Sequence, residues 1–493
     1  MIDTQAIRSK ILDLAMRGQL TEQLPEDGTA EDLYQQILEE KQKLIKEGKI
    51  KKQKTLPEIT DEEIPFDIPK NWKWVYLGEL FEHNTGKALK TSDQNGQLLE
   101  YITTSNLYWD HFELKNLKSM YFKESEIDKC TVKKGDLLIC EGGDIGRSAI
   151  WTFDYEIRIQ NHIHKLRKYS ELIYTDFYYY LLWLYKQTDR ISGIGIGLQG
   201  FSSKRVHSLI VPFVPYYEAV RVVLKVKKAF SVLDTIDKLQ AQYADNLTAL
   251  KSKLIDAAIQ GKLTEQLPED GTAEEDLKEI EEKKMEIESS GVLKGRKKKK
   301  VLPLLNVNFP FEIPSSWKWI RLNSVVEIFG RIGFRGYTKN DIVERGQGAI
   351  SLSPSNITKS GKITYENCTF LSWDKYNESP EIMVEKDDVI LVKTGSSYGK
   401  CAIVKSLPEK ATINPQLAIL KYVLCDRNYL HTVLISDMAH KQYEEFVIGA
   451  ATPTFSQENL ANFLLPLPPL AEQKRIVQKL DEILPLCEKQ RNR

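Results

Sequence analysis

Two glycine-rich stretches, residues 140–148 and 393–401, each place a cation directly after their last glycine. The cations are Arg147 and Lys400, and each stretch follows an apolar run typical of a strand. In such a turn, backbone N–H groups and the cation are placed to approach a phosphate. The Gly-Lys-Ser/Thr of a Walker loop is missing. Two interpretations are therefore open: contact with a phosphate or base, and a plain tight hairpin.

A second pair of stretches, 102–106 and 352–356, ends a predicted strand with small hydroxyl and amide side chains. Asn can pair bidentately with adenine, and Ser or Thr with several partners, whereas a capped turn is the structural alternative. Other polar and basic loop residues fit groove or backbone contact. The predicted DNA-binding residues are Lys87, Lys90, Thr103, Ser105, Asn106, Arg147, Lys204, Arg335, Tyr337, Ser353, Ser355, Asn356, Lys400, Thr452 and Gln457.

Catalytic patterns are weaker than binding patterns. There is no nucleophile elbow, and the seven His show no metal-ligand spacing apart from the weak pair His162 and His164. Asn414-Pro-Gln-Leu is nearest to the base-receiving motif of adenine methyltransferases, but its counterpart at Gln160 has no proline. Residues 193–197 fall short of a dinucleotide fingerprint. We therefore predict no catalytic residue, metal or cofactor on this chain.

The elements that must position these residues come from a duplication. Residues 18–30 recur at 261–273 with one difference, Gln19 against Lys262, and 64–74 answers to 309–319. The start of the chain also resembles a stretch beginning at Lys251, so the N-terminus continues a helix that the C-terminus begins. The sequence is a near-closed cycle of two copies.

A long amphipathic helix with a coiled-coil-like seam is predicted between Glu218 and Gly261, where there is no Pro or Gly. Its counterpart is split between the termini, and further helices are predicted at 30–48, 273–290 and 174–184. Short β-branched and aromatic runs, such as 74–77 and 389–392, indicate mixed domains. The predicted segments are 1–63 (helical), 64–215 (first domain), 216–308 (helical spacer), 309–469 (second domain) and 470–493 (helix).

The fold class that follows is α+β. Two mixed α/β domains are joined by two long antiparallel coiled-coil helices, in a pseudo-twofold and circular organisation. The 69 Lys and Arg balance 69 Asp and Glu, so any grip on nucleic acid must be local or shared with a partner. No apolar run reaches the roughly 18 to 20 residues of a membrane span, and there is no signal peptide, which predicts a cytoplasmic protein without a membrane partner.

Two proline-rich exits, 209–221 and 463–475, each lead from a variable domain into a long helix. The second contains Leu-Pro-Leu-Pro-Pro-Leu-Ala-Glu-Gln-Lys-Arg, whereas the first departs from it with Tyr216, Tyr217 and Val220. Over nearly its whole length the chain resembles the specificity subunit of type I restriction-modification systems. The family's glycine-rich turn falls on 143–146 and 395–399.

This resemblance implies a non-catalytic subunit of a bacterial or archaeal cytoplasm. Each target-recognition domain is expected to read one half of a bipartite double-stranded DNA sequence, while the helices set the spacer. Two methyltransferase subunits are expected to dock on the helices and carry S-adenosylmethionine, and restriction subunits to join them. Two alternatives stay open: a coiled-coil scaffold whose domains bind protein, and a DNA-modifying enzyme with degenerate motifs, which would bind cofactor weakly.

Overall fold

The computed structural model describes residues 1–50, 52, 55–89, 95–191, 200–293, 299–305, 307–331, 335–358, 360–449 and 452–491. The chain divides into two compact units. The first unit comprises residues 2–240, and the second comprises Met1 and residues 241–493. None of the helices in the described ranges combines the length and the apolar character needed to cross a membrane.

The first unit alternates helices with short strands. In chain order its elements are α1 (Thr4–Met16), α2 (Ala30–Lys46), β1 (Lys73–Tyr76), α3 (Leu77–Leu80), β2 (Phe81–Thr85), β3 (Gln97–Ile102), β4 (Lys118–Phe122), α4 (Glu124–Cys130), β5 (Thr131–Val132), β6 (Leu137–Cys140), β7 (Ser148–Ile150), β8 (Ile157–Ile159), β9 (Ile163–Lys168), α5 (Thr175–Gln187), α6 (Ser203–His207), β10 (Ile210–Phe213) and the first part of α7 (Tyr216–Ile259).

The second unit begins with the last part of α7. It continues through α8 (Ala273–Ser289), β11 (Lys318–Arg321), β12 (Glu327–Phe329), β13 (Ile342–Val343), β14 (Gly348–Leu352), β15 (Thr369–Ser372), α9 (Trp373–Asn377), β16 (Met383–Val384), β17 (Val389–Val392), β18 (Cys401–Ile403), β19 (Ala411–Ile413), β20 (Leu417–Lys421), α10 (Arg427–Leu434), α11 (Asp437–Phe446), α12 (Gln457–Ala461), β21 (Leu464–Leu467) and α13 (Leu470–Arg491).

Among the described residues, each unit contains three sheets, and their strand orders correspond. In the first unit, β1 pairs with β10, one sheet has the order β2-β9-β6-β7, and the other has the order β4-β3-β8-β5. In the second unit, β11 pairs with β21, and the orders are β12-β20-β17-β18 and β13-β15-β14-β19-β16. The second unit therefore repeats the topology of the first and adds β13. This repetition confirms the duplicated mixed α and β fold predicted from sequence.

The strands β6 and β17 are covered on both faces. All four residues of β6 are buried, and so are all four of β17, because alternate residues of each strand belong to two different hydrophobic clusters, one on each face of the sheet. Both strands are continuous apolar runs rather than alternating ones, as expected for strands covered on both faces. Hairpin loops that follow β6 and β17 are thus held on a rigid base.

The repeated motif, residues 18–30 and 261–273, packs against the start of the next long helix. Gln23 Nε2 and Asn71 Nδ2 donate to the buried carboxylate of Glu218 at 3.0 and 2.8 Å. In the second unit, Gln266 Nε2 and Trp317 Nε1 donate to the equally buried Glu472, at 2.9 and 2.8 Å. A buried carboxylate needs such donors, which gives the repeated residues a structural purpose.

The long helix is confirmed, since α7 continues without Pro or Gly over the predicted stretch. Within the first unit, α1 runs antiparallel to α7. Arg8 Nη2 donates to Asp234 Oδ1 (2.8 Å) and Asp237 Oδ2 (2.9 Å), while Thr4 Oγ1 donates to Asp237 Oδ1 (2.6 Å). Within the second unit, α13 and the end of α7 contribute to one hydrophobic cluster. The helices predicted at 30–48, 174–184 and 273–290 are α2, α5 and α8.

Candidate nucleic-acid interface

The carboxyl ends of β3, β6 and β8 meet on one side of the first unit. β3 and β8 run parallel, and Gln160 N, just after β8, donates to Ile102 O at the end of β3 (3.1 Å). Glu141 N, just after β6, donates to His162 O (2.9 Å), and Phe201 N donates to Glu141 O (2.8 Å). We call the loops gathered there the first loop edge: residues 86–89, 103–113, 141–147, 160–162 and 200–204.

The second unit gathers the equivalent loops through the equivalent bonds. Asn414 N donates to Leu352 O (2.8 Å), Lys393 N donates to Gln416 O (2.9 Å), and Phe455 N donates to Lys393 O (3.2 Å). The second loop edge comprises residues 330–331, 353–358, 360–363, 393–400, 414–416 and 452–457. Of the predicted DNA-binding residues that the structure describes, all except Arg335 and Tyr337 lie on these two edges.

Both glycine-rich stretches are hairpin loops, one joining β6 to β7 and the other joining β17 to β18. Gly146 and Gly399 have φ angles of 82° and 83°, in the left-handed region. A Cβ at these positions would lie 2.6 Å from Ile191 and 2.8 Å from His440. Glycine is thus needed for both conformation and space. The hairpin interpretation describes the local fold, and phosphate contact by these loops stays a prediction.

The cation after each glycine turn connects the turn to the neighbouring polar loop. Arg147 Nη2 donates to Thr104 O at 2.7 Å. In the equivalent place, Lys400 Nζ lies within 3.4 Å of Ile357 O. Arg147 and Lys400 therefore lie where two loops of the same edge meet, and each side chain is only partly buried.

The asparagines of the polar turns are bonded inside the protein. Asn106 Oδ1 accepts from Thr103 N (2.9 Å), and its Nδ2 donates to Glu113 O (2.8 Å). Asn356 Oδ1 accepts from Ser353 N (2.9 Å), and this side chain belongs to a residue only 3% exposed. Because these amides are already satisfied, the geometry favours a role in holding the turns over direct pairing with adenine.

The hydroxyl groups of the same turns are more accessible. Thr103 Oγ1 and Ser105 Oγ lie 2.7 Å apart, and Ser353 Oγ and Ser355 Oγ lie at the same separation. Ser105 and Ser355 are exposed, whereas Thr103 and Ser353 are partly buried. Each turn thus presents one exposed serine beside the cation of the glycine hairpin.

The predicted lysines of the first edge differ in their surroundings. The side chain of Lys87 is 8% exposed, and its Nζ donates to Tyr121 O and to Glu126 Oε2, both at 2.8 Å. This ion pair assigns Lys87 to the structure of the domain rather than to its surface. Lys204, by contrast, is exposed on α6. Lys90 lies outside the described residues.

Arg335 and Tyr337 lie beside the second edge. Arg335 Nη1 donates to Glu378 O (3.2 Å) and lies 3.5 Å from Glu381 Oε1. The guanidinium of the buried Arg331 lies 5.7 Å from the centre of the Tyr337 ring, which is a cation–π contact. Both predicted residues are partly buried and are anchored in the protein.

Thr452 and Gln457 complete the second edge. Thr452 is exposed, and Gln457 is the first residue of α12. A Cβ on Gly330 would lie 2.7 Å from Gln457 Nε2, so Gln457 packs closely against the end of β12. Of this pair, only the threonine side chain is largely open to solvent.

Sequence reasoning missed an aromatic stack on the first edge. Tyr108, 38% exposed, stacks on His111 with ring centres 5.1 Å apart and planes at 9°. The guanidinium of Arg147 lies 4.9 Å from the Tyr108 ring. The tight turn between them uses Asp110 at φ 64°. The sequence did contain a signal for this stack. Asp110 tolerates the left-handed conformation of a tight turn, and Tyr108 and His111 flank that turn.

A neutral histidine pair supports the loop at 200–204. His83 Nε2 lies 2.9 Å from His164 Nδ1, and His164 Nε2 lies 2.5 Å from Phe201 O. A carbonyl only accepts, so His164 Nε2 carries the proton and its Nδ1 accepts from His83. Burial lowers the pKa of His83 to about 3, so this imidazole is uncharged at neutral pH. The pair fixes the Phe201 carbonyl without placing charge behind the edge.

Residues 69–251 and 314–493 match the family described as the type I restriction modification DNA specificity domain. The chain is 26% identical to the EcoAI specificity subunit of a type I restriction enzyme from Escherichia coli, over 98% of this chain and 89% of that protein. It is 24% identical to the EcoEI specificity subunit of the same organism, over 99% and 90%. Identity to the MjaVIII specificity subunit of Methanocaldococcus jannaschii is 21%, over 85% and 88%.

A solved chain from work on complex assembly and conformational transition of the type I R-M system has a similar fold. The TM-score is 0.57 at 17% identity, covering 87% of this chain and 94% of that chain. The family match falls once on each half of the duplication and together covers most of the sequence. The chain therefore belongs to the family of type I restriction-modification DNA specificity subunits.

Proposed function

We propose that this chain selects the DNA target of a type I restriction-modification complex, with each unit recognising one part of a two-part sequence. The observation that carries the proposal is that one sheet topology occurs twice with different side chains on the two loop edges. Loops on a rigid scaffold are the usual carriers of binding specificity. A repeated scaffold with unlike loops suits two unlike half-sites on double-stranded DNA.

On the first loop edge, the proposed contact is centred on Arg147. Its planar fork suits guanine O6 and N7 or a phosphate, and its stacking on Tyr108 limits the side chain's freedom before DNA arrives. The exposed Ser105 and Lys204 suit polar and phosphate contacts. Thr103 and Asn106 are proposed to hold the polar turn, and Lys87 to support the domain.

On the second loop edge, the proposed contact is centred on Lys400. Lysine is a point charge rather than a fork, which suits a phosphate more than a base edge. The exposed Ser355 and Thr452 lie on loops of the same edge. Arg335, Tyr337 and Gln457 are proposed to flank this contact, and Ser353 and Asn356 to hold the turn.

Catalysis is assigned to partner subunits. Two methyltransferase subunits would carry S-adenosylmethionine, and restriction subunits would join the complex. Support comes from the relatives, which are named as specificity subunits of restriction enzymes. In the first unit, α7 also exposes apolar residues at near-heptad spacing, which suits helix docking: Tyr217, Leu224, Val232 and Leu239. The balanced charge of the chain suits partners that complete the contact with DNA.

The proposal is tested by mapping methylation in genomic DNA at single-molecule resolution. Cells that carry this chain with its methyltransferase partner are compared with cells that lack only this chain. We expect a split motif of two short parts around a fixed gap, lost without the chain. Replacing residues 64–215 with the same region of another family member should change one part and keep the other. Methylation that is unchanged without the chain would contradict the proposal and favour a protein-binding scaffold.

A further inference from the structure

Aromatic side chains fill the space between recognition domain and helices in the first unit. Trp109, from the loop 103–113 of the first loop edge, stacks on Trp183 of α5 with ring centres 5.4 Å apart and planes at 19°. Trp183 also stacks on Tyr180 (6.4 Å) and meets the edge of Phe230 from α7 (5.5 Å). The loop 103–113, α5 and α7 thus enclose a packed group of aromatic rings.

The equivalent elements of the second unit carry smaller side chains. α10 corresponds to α5, because the third residue of each helix, Tyr429 or Phe177, meets a tryptophan of equivalent position, Trp317 or Trp72. By this alignment His431, Thr432 and Ile435 replace Tyr179, Tyr180 and Trp183. The matching exits into α7 and α13 place Leu484 where the first unit has Phe230. In sequence, residues 358–362, which correspond to the Trp109 loop of the first unit, contain no aromatic residue.

The smaller side chains leave a cavity of about 460 Å³ in the second unit. Its aliphatic wall comes from α7, the loop at 358–363, β18 and α13. The residues are Ile255, Ile363, Ile403, Val477, Leu480 and Leu484. His431, Thr432 and Asn428 contribute polar groups, and the lysines Lys362 and Lys405 lie at the opening with the carboxylate of Asp481. An apolar wall with a few convergent polar groups, at this volume, is typical of ligand sites.

We propose that this cavity binds a small planar aromatic molecule that carries an anionic group. The planar shape follows from the first unit, where stacked indole rings occupy the equivalent place. The anionic group follows from the rim, where two lysines stand against one aspartate among the described lining residues. The cavity is lined by α7, α10 and α13 together, so an occupant stabilises the junction of recognition domain and helices within the second unit.

An aromatic side chain of a partner protein is the alternative occupant. The asymmetry between the units disfavours it, because two copies of one partner would bring that side chain to both units. At this place the first unit is filled by Trp109 and Trp183, whereas the described residues of the second unit leave a cavity. A free ligand can bind to one unit alone, so a cavity in the second unit without a counterpart in the first is compatible with it.

The test uses the full-length chain and ¹⁹F NMR of two probes, 5-fluoroindole-3-acetate and neutral 5-fluoroindole. We expect saturable broadening of both probe signals. Leu484→Phe, which installs the first unit's residue, should weaken binding of both probes by about tenfold or more, because it fills the cavity. Ile435→Trp, directly after α10, should do the same. Lys405→Ala should weaken only the anionic probe, by about threefold to fivefold, as expected for an exposed charge.

Leu486→Phe is the matched control, since this residue is exposed on the same helix and does not line the cavity. It should bind both probes like the parent chain. Urea unfolding of every variant shows whether the fold is kept. Absence of binding at about 5 mM probe, or undiminished binding to both Leu484→Phe and Ile435→Trp, overturns the proposal. The proposal is also overturned if the parent chain binds no probe and Leu484→Phe abolishes binding of the methyltransferase partner. That result would assign the cavity to the partner.

Discussion

Arg221 and Asp27 form a two-point ion pair that fastens the second turn of α7 to the repeated motif. Arg221 Nη1 donates to Asp27 Oδ1 at 2.8 Å, and Nη2 donates to Oδ2 at 2.5 Å, although the residues are 194 positions apart. The second unit repeats this pair with Arg475 and Asp270, where both bonds are 2.6 Å. A bidentate guanidinium–carboxylate pair fixes orientation as well as distance. Each pair thus adds a second fixed contact, beside that of the buried Glu218 or Glu472, between the repeated motif and the start of the long helix.

Replacing Asp27 with Ala should lower the free energy of unfolding of the first unit by about 2 kcal/mol, because a charge-assisted pair with a carboxylate only 2% exposed is lost. Urea denaturation followed by tryptophan fluorescence measures the change. Glu26→Ala alters the exposed neighbouring residue and should shift stability by less than about 0.5 kcal/mol. Equal effects of the two substitutions would contradict the structural role of the pair.

The same pairs should make stability depend on acid pH. The hydrogen bond from Arg221 lowers the pKa of Asp27, and that from Arg475 lowers the pKa of Asp270. A carboxyl whose folded-state pKa lies below its unfolded value, about 3.9, contributes full stability above that value. The contribution is lost as the pH falls through the folded-state pKa. Urea unfolding at a series of pH values should show this loss, and the double variant Asp27→Asn, Asp270→Asn should show a shallower slope.

The sequence predicted those features that depend on local pattern. The absence of Pro and Gly after Glu218 predicted α7. For the glycine-rich stretches at 140–148 and 393–401, the sequence left a tight hairpin as one of two interpretations, and a hairpin is the local fold of both. Features that depend on distant partners were not predictable. Lys87 carries the same charge in sequence as Lys204, but its partner Glu126, 39 positions away, is brought to it only by the fold. The contact of Arg147 with Tyr108 likewise requires two loops gathered by the parallel pairing of β3 with β8.

Arg147→Ala and Lys400→Ala are expected to affect DNA binding in different ways. Removing a cation that contacts a base or phosphate should weaken binding by roughly 1–3 kcal/mol. Fluorescence anisotropy with the assembled complex, on duplexes altered in one target part at a time, measures the discrimination. Arg147→Ala should relax discrimination in the part recognised by the first unit. Lys400→Ala, which removes a proposed phosphate contact, should weaken binding about equally on all duplexes and lower the slope of log affinity against log salt by about 1. Relaxed discrimination in Lys400→Ala, or uniform weakening in Arg147→Ala, would contradict these two assignments.

Lys87 and Lys204 should separate stability from DNA contact. Lys87→Met removes the ion pair with Glu126, so it should destabilise the first unit by about 1–3 kcal/mol. It should leave the salt dependence of DNA binding unchanged. Lys204→Ala should leave urea unfolding unchanged and reduce the slope of log affinity against log salt by about 1, as expected for one lost phosphate contact. The reverse pattern would show that Lys87, despite its burial, reaches DNA.

Lengthening α7 should change the gap between the two parts of the target without changing the parts themselves. Four residues inserted after Gln240 add about 6 Å of helix and about one turn. At about 3.4 Å for each base pair, the recognised gap should grow by one or two base pairs. A variant with four exposed residues of α7 replaced by Ala, at constant length, controls for sequence change. Single-molecule methylation maps measure both variants. An unchanged gap with normal methylation would show that α7 does not set the spacing, because the helix would then be longer while the distance between half-sites stayed the same.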